Sequence, residues 1–286
     1  MTTKILWIAS YPKSGNTWIR SIISSLFYTK KGDFNFNLLN LIELFEQKKN
    51  FNFVNNINQE DYKNLHKIEI ISKYWLEAQN SIINQRHSIN PIYNVFKTHN
   101  ANLFVNSNIF TKSDYTAGII YLVRDPREIA ISYSKHMGKG IDQTIDIMLN
   151  EKTTLKPPND FPTSIISTWE LHYKSWKKTN APKLILKYED MIENTKETIE
   201  RIIVFLCIIF QIKKDSFEKK INNIINSTNI NKFRQHELKF GFAESSNKSY
   251  FFGNAKRDSW KKILSKKQVK KIEDKFYNTM REIGYI

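Results

Sequence analysis

The sequence predicts a three-layer α/β/α fold built on a central parallel sheet, and three observations predict it. Short apolar runs, Ile5–Ala9 and Gly118–Val123, are too brief for core helices and suit strands buried on both faces. Segments with helical spacing alternate with the strand segments, which implies a parallel sheet covered on both sides. The turns that follow strands carry Lys13, His99, Arg124 and Tyr188, and ligands of open α/β sheets lie beyond the carboxyl ends of their strands.

The first run, Ile5-Leu6-Trp7-Ile8-Ala9, is broken by Ser10, Tyr11 and Pro12, and a tight polar turn follows, Lys13-Ser14-Gly15-Asn16-Thr17. From Trp18 the spacing becomes helical, with Trp18, Ile19, Ile22, Ile23 and Leu26 on one broad face. Strand, turn and helix together aim free backbone N–H groups and a helix N-terminus at one spot, which suits a phosphate or a sulfate. Gly15 lets the backbone approach an anion, Lys13 adds a point charge, and the Ser14 and Thr17 hydroxyls add donors. The turn is not a Walker A loop, in which the Lys follows the second Gly. A strand–turn–helix with a stray Lys is also ordinary in α/β proteins.

The remaining elements follow in order. Phe34–Lys49 has the spacing of a helix through Leu38, Leu41, Ile42 and Phe45, and Asp61–Ile83 gives one or two more. This Asn-rich stretch, about 34–90, reads as an insertion between strands. Asn90-Pro91 ends it, and Ile92–Phe96 is a short strand entering Lys97-Thr98-His99. Arg124 ends the strand Gly118–Val123; Asp125 and Pro126 then suit the N-cap and first position of a helix reaching about Lys135. The second insertion, about 138–162, holds a helical piece at Ile141–Leu149 and reads as a lid or as a plain surface loop. Thr163–Lys178 reads as a helix, and Leu184–Leu186 as a strand leading into Lys187-Tyr188-Glu189-Asp190. Thr195–Phe210 and Phe217–Ile225 read as helices, Ser227-Thr228-Asn229 as a polar segment, Phe251–Trp260 as loop, and Lys266–Arg281 as a basic closing helix. No repeat or linker divides the chain, so residues 1–286 are expected to form one domain.

Of the residues, 41% are hydrophobic, enough for a large core, and the net charge is +16. That charge fits nucleic acid, a polyanionic surface, or a pocket for a highly charged small ligand. The lysines are scattered rather than gathered in an arm, which argues against nucleic acid. The single cysteine, Cys207, lies in an apolar helical run and reads as a small buried hydrophobe. No secretory leader and no run of about 20 apolar residues is visible, so a soluble, cytoplasmic protein is expected.

Taken together, YPKSGNTW after a strand, then KTH, LVRDPREIAISY and KYEDM, resemble the sulfotransferases that use 3′-phosphoadenosine 5′-phosphosulfate (PAPS). The resemblance is to the cytosolic-type branch and its bacterial relatives, and spans Ile5 to Leu264. It implies a P-loop-like nucleotide-binding fold and a loop of Lys13, Ser14, Gly15, Asn16 and Thr17 around the 5′-phosphosulfate. Trp18 would stack on adenine, although a core aromatic is the alternative from its helix face. Arg124 and Ser132 match the pair that holds the 3′-phosphate, a task suited to a forked guanidinium. Tyr188 matches an adenine-side tyrosine and Thr228 a weaker adenine contact; Thr228 reads equally well as a turn residue. Asp125 and Asp190 read as caps.

His99 is the expected general base. Alone, a His after a strand is more often a satisfied structural residue, the reading given to the other five, at 66, 87, 136, 172 and 236. Lys97 and Thr98 accompany His99 as in the family, and an attacking hydroxyl or amine must lose a proton that an imidazole can take. Lys13, the turn amides and Lys97 would stabilise charge building on the leaving phosphate. Nothing resembles a metal-ligand cluster, so no metal is expected. One departure stands out: the family's Arg-Lys-Gly clamp falls on Gly253, Asn254 and Ala255. Lys256 and Arg257 are candidates to replace it from shifted positions; otherwise the clamp is weakened. The expected reaction is in-line sulfuryl transfer from PAPS, released as PAP, to a hydroxyl or amine. The acceptor would be a small molecule, glycan or lipid, with no nucleic acid, and a homodimer is left open. The alternatives are an ATP-dependent P-loop kinase and a non-enzymatic polyanion-binding protein.

Overall fold

A computed structural model describes residues 4–84, 94–155, 162–245, 249–253 and 258–286. Five parallel strands form the central sheet: β1 (Ile5–Ser10), β2 (Glu43–Leu44), β3 (Val95–Thr98), β4 (Thr116–Val123) and β5 (Lys183–Lys187), in the order β2-β3-β1-β4-β5. β1 lies at the centre because every residue of it is apolar or small, and the whole strand is buried. Its alternation divides the core. Leu6 and Ile8 pack into one layer, and Ile5, Trp7 and Ala9 into the other.

The main helices are α1 (Asn16–Tyr28), α2 (Trp75–Asn84), α3 (Pro126–Met137), α4 (Ile141–Leu149), α5 (Trp169–Lys178), α6 (Thr195–Phe210), α7 (Ile230–Phe240) and α8 (Lys266–Ile283). The Leu6/Ile8 layer takes Ile19 and Ile22 of α1 and Ile199, Ile202 and Ile203 of α6. Trp75 of α2, Ile129 of α3, Trp176 of α5 and Phe276 of α8 pack in the Trp7 layer. Local chemistry sets the ends. The Asp125 carboxylate accepts the Arg127 N–H at 2.9 Å, Pro126 takes the first turn, and Gly138 closes α3 in the left-handed region. A Ser265/Gln268 capping box starts α8.

Several expectations change. Phe34–Lys49 is not one α-helix: it is a 3₁₀ turn (Phe36–Leu41), the edge strand β2, and a second 3₁₀ turn (Lys48–Phe51). The edge of β3 offers unpaired backbone groups, and the Phe45 N–H donates to the Lys97 carbonyl at 2.9 Å. Phe45 then meets Trp7 edge to face at 5.3 Å, so the apolar spacing is satisfied without a helix. The second change concerns Thr163–Lys178, where α5 begins only at Trp169. Ser164–Ile165 pairs with Thr154–Leu155 as a short hairpin, Ser167 turns with φ 55°, and the Thr168 hydroxyl caps α5 through the Leu171 N–H at 3.1 Å.

Within 138–162 the described residues include α4 and the Thr154–Leu155 strand, with Ile145 and Met148 fully buried. Phe217–Ile225 divides into Asp215–Glu218 and Ile221–Ser227. Beyond it Asn229 caps α7, a helix the sequence reading had not placed. No helix among the described residues is long and apolar enough to cross a membrane.

Candidate active site

The loops after β1, β3, β4 and β5 meet around one cavity of about 1250 Å³. Lys13, Gly15, Thr17 and Trp18 line it from the first turn, Lys97 and His99 from the end of β3, Arg124 and Ser132 from β4 and α3, and Tyr188 from the end of β5. The shape of the turn is fixed by steric fit. Lys13 has φ 65° and Gly15 φ 97°, and a Cβ on Gly15 would fall 2.6 Å from Tyr188 Cδ2. Only glycine allows the tyrosine ring to lie against the backbone here. Below the turn, Asn16 donates its amide to the Ile8 carbonyl (3.3 Å) and Ser10 Oγ (3.1 Å), tying α1 to β1. Ser14 Oγ is buried with no hydrogen-bond partner among the described residues. An unpaired hydroxyl beside a lysine and a left-handed glycine fits an oxyanion ligand, since burying an unmet polar group otherwise costs stability.

Arg124 is braced rather than free. Its Nη1 donates to the Lys13 carbonyl at 3.0 Å, its guanidinium lies 4.3 Å from the Tyr188 ring centroid, and its Nη2 is 3.7 Å from Glu128. Its Nε has no partner among the described residues. Ser132 stands about two turns into α3 and lines the same cavity. Trp18 meets Tyr188 edge to face, at 6.3 Å. Trp18 belongs to the α1 core face and also borders the cavity.

His99 Nδ1 lies 2.7 Å from the Ser10 carbonyl. The carbonyl can only accept, so Nδ1 carries the proton and Nε2 is the basic nitrogen. Burial, and then the Lys97 cation, push the His99 pKa down to about 3, which keeps the ring neutral. Its loop is pinned from behind: His172 Nε2 donates to the His99 carbonyl (3.1 Å) and Trp176 Nε1 to the Asn100 carbonyl (2.8 Å). Glu46 accepts the Thr98 hydroxyl at 2.5 Å and the Asn100 side-chain amide, and burial raises its pKa to about 7. The Lys13 ammonium sits 3.8 Å from the Phe251 ring centroid. Burial foremost, then the Arg124 cation, lowers its pKa to about 8. Burial likewise lowers that of Lys97, which pairs with Glu244 at 3.3 Å.

Thr228 is not brought to the cavity; it is 1% exposed and its hydroxyl donates to the Ile224 carbonyl at 2.8 Å, closing a short helix. Lys256 and Arg257 lie outside the described residues. Sequence reasoning missed Arg20, Glu46, Glu244 and Phe251. Only Phe251 carried a signal, its place beside the altered clamp. No grouping of three or more His, Cys, Asp or Glu able to hold a metal ion occurs among the described residues.

A parallel sheet with a Lys-bearing turn after its central strand, facing cations at the ends of two further strands, defines an α/β protein for a phosphorylated or sulfated ligand. The chain belongs to the sulfotransferase domain family, whose family model matches residues 3–284. It is 25% identical over 239 residues to Sulfotransferase 1B1 of Canis lupus familiaris, a match covering 81% of this chain and 66% of that protein. Flavonol 3-sulfotransferase of Flaveria bidentis is 24% identical over 94% of this chain and 79% of its own length. Among solved structures, retinol dehydratase with androsterone and the inactive cofactor PAP superposes with a TM-score of 0.60 at 18% identity, covering 98% of this chain and 81% of that one. A mouse sulfotransferase complexed with PAP gives 0.56 at 16%, covering 98% and 86%. At these identities the superpositions establish the fold.

Proposed function

We propose that the protein transfers the sulfuryl group of PAPS to a hydroxyl or amine of a small-molecule acceptor, with His99 as general base. The observation that carries this reading is the convergence of Lys13, Lys97 and His99 with Gly15, Asn16 and Thr17 of the turn on one cavity. The turn amides, Ser14 Oγ and Lys13 would hold the phosphosulfate, Arg124 and Ser132 the 3′-phosphate, and Trp18 and Tyr188 the adenine. At about 1250 Å³ the cavity exceeds the roughly 300–1000 Å³ usual for a single ligand site, leaving room for an acceptor. Apolar Leu44, Met137, Ile147 and Leu155 also line it. His99 Nε2 would accept the acceptor's proton as its oxygen or nitrogen bonds to sulfur. Electrons pass to the phosphate oxygen as the S–O bond breaks, and Lys13 and Lys97 stabilise the charge left there.

Calorimetric titration with PAP, followed by transfer of ³⁵S from labelled PAPS to a panel of phenols, alcohols and amines, tests the proposal. Wild type should bind PAP, and Lys13→Ala should cut transfer sharply. Wild type that binds neither PAPS nor PAP would overturn the reading.

A further inference from the structure

Glu244 is a carboxylate held inside a site rich in cations. It lies in the loop beyond α7, where its Oε2 accepts the Thr17 hydroxyl at 3.1 Å and lies 3.3 Å from Lys97 Nζ. Its Oε1 pairs with Arg20 Nη1. Thr17 and Lys97 are groups that the proposed function assigns to the phosphosulfate. Arg20 stands one turn further along α1 and is 5% exposed.

The geometry of Arg20 does not depend on Glu244. Its Nε donates to the Ile42 carbonyl at 3.1 Å and its Nη2 to the Leu39 carbonyl at 2.8 Å. Two of its three nitrogens are thus fixed by backbone, and Nη1 remains aimed at whatever anion stands beside Thr17. The donors all sit on α1 and β3, next to the central strand, while the acceptor comes from a loop. The accessibilities agree: the side chains of Arg20 and Lys97 keep 6% and 11% of their surface, and that of Glu244 30%. Fixed donors with a loop-borne acceptor make the acceptor the exchangeable partner.

A carboxylate presents two oxygens with the charge and spacing of one edge of a sulfonate or phosphate, so the same donors suit all three. Without an anion, Arg20 and Lys97 would stand as uncompensated, nearly buried charges, which is costly. With Glu244 in place, an arriving polyanion meets a like charge at the point where Thr17 and Lys97 should receive it.

We propose that Thr17, Arg20 and Lys97 form one oxyanion seat for the phosphosulfate end of the cosubstrate, that Arg20 is a further anion-binding residue, and that Glu244 fills this seat in the free protein and leaves it on binding. The inference rests on the reading of the site as a PAPS site. Apparent affinity falls by the fraction of molecules in which the seat is free, so a carboxylate resident in nine of ten molecules weakens binding about tenfold.

The test is calorimetry of the full chain with PAPS and with PAP, in parallel with thermal unfolding. Glu244→Gln keeps size and loses charge. It should bind both ligands about tenfold more tightly than wild type while unfolding at lower temperature, because two cations lose their partner. These opposite signs are not those of a merely damaged protein. Glu244→Asp, with the charge kept and the reach shortened, should fall between. Arg20→Lys in the Glu244→Gln background should reverse the gain. If wild type binds and Glu244→Gln binds equally or more weakly, Glu244 is a permanent partner of Arg20 and Lys97 and the inference falls alone. If wild type binds neither ligand, the proposed function falls first.

Discussion

His99 shows what single residues decide. Its Nδ1 proton is committed to the Ser10 carbonyl, and its pKa of about 3 keeps the base form present down to strongly acidic pH. His99→Ala should leave PAP affinity near wild type in calorimetry while steady-state turnover falls about 10²–10⁴-fold. An anionic ligand nearby favours the protonated ring, so an acidic limb should appear in turnover before it appears in binding. Lys13 governs the opposite limb. Its pKa is lowered to about 8, so the ammonium proposed to attract PAP is present below that pH and is lost as pH rises through it. PAP affinity, titrated from pH 7 to pH 9, should weaken on the alkaline side, and Lys13→Arg should flatten that decline. The residues that meet at the cavity were largely legible, because Lys13, His99 and Arg124 each follow a strand and Lys97 lies near the end of one. Arg20 and Glu244 were not. In the sequence Arg20 is a lone cation on a helix and Glu244 a lone acid in a polar loop, and only tertiary folding brings them together across 224 residues.

At the scale of elements, the turn between β1 and α1 depends on one absent methyl group. Gly15→Ala adds a Cβ that would sit 2.6 Å from the Tyr188 ring at φ 97°, a strain of about 1–3 kcal/mol. The variant should melt at lower temperature and lose most of its PAP affinity, since Tyr188 and the turn must separate. Glu46 links β2 to the end of β3, and its buried carboxyl is raised to about 7. A carboxyl whose pKa is raised on folding favours the folded state only while protonated. Stability should therefore decline as pH rises from the unfolded value near 4.5 through 7. Glu46→Gln keeps the acceptor oxygen for Thr98 and Asn100 and should remove that decline in denaturant titrations. The elements that misread in sequence were those whose apolar spacing two structures could satisfy. Leu38, Leu41, Ile42 and Phe45 fit a helix, yet the open edge of β3 takes Glu43 and Leu44 as a strand. The strand at Ser164–Ile165 depends on Thr154–Leu155 as its partner, which local propensity does not reveal. Unbroken apolar runs, β1 and β4 above all, were read within about two residues.

The whole molecule carries a net charge of +16, and several of its cations converge on the cavity. A polyanionic ligand drawn by them is screened by salt, over a Debye length of about 10 Å at 0.1 M. PAP affinity in wild type should fall steadily as sodium chloride is raised from about 0.05 M to about 0.5 M, with steeper loss than for adenosine. Equal slopes for the two ligands would show that the field of the site does not contribute. The fold class and the place of the site at the sheet's carboxyl end followed from strand–helix alternation, which is a property of the entire chain. The charge alone did not point to the site, because most lysines lie on the outer surface.

The cavity draws its walls from two sources. Lys97 lies in β3, and Lys13, Thr17 and Arg124 lie in the segments that continue directly from β1 and β4, so replacing them disturbs the framework. Ile147, Thr153, Thr154, Leu155 and Ser164 border the same space from α4 and its neighbouring hairpin, which share no hydrogen-bonded strand with the sheet. Inheritance can therefore act on the two halves at different rates. Lineages diverging from a common ancestor can rewrite the peripheral half, and with it the range of compounds the proposed reaction would accept, while the half proposed to meet the nucleotide stays fixed.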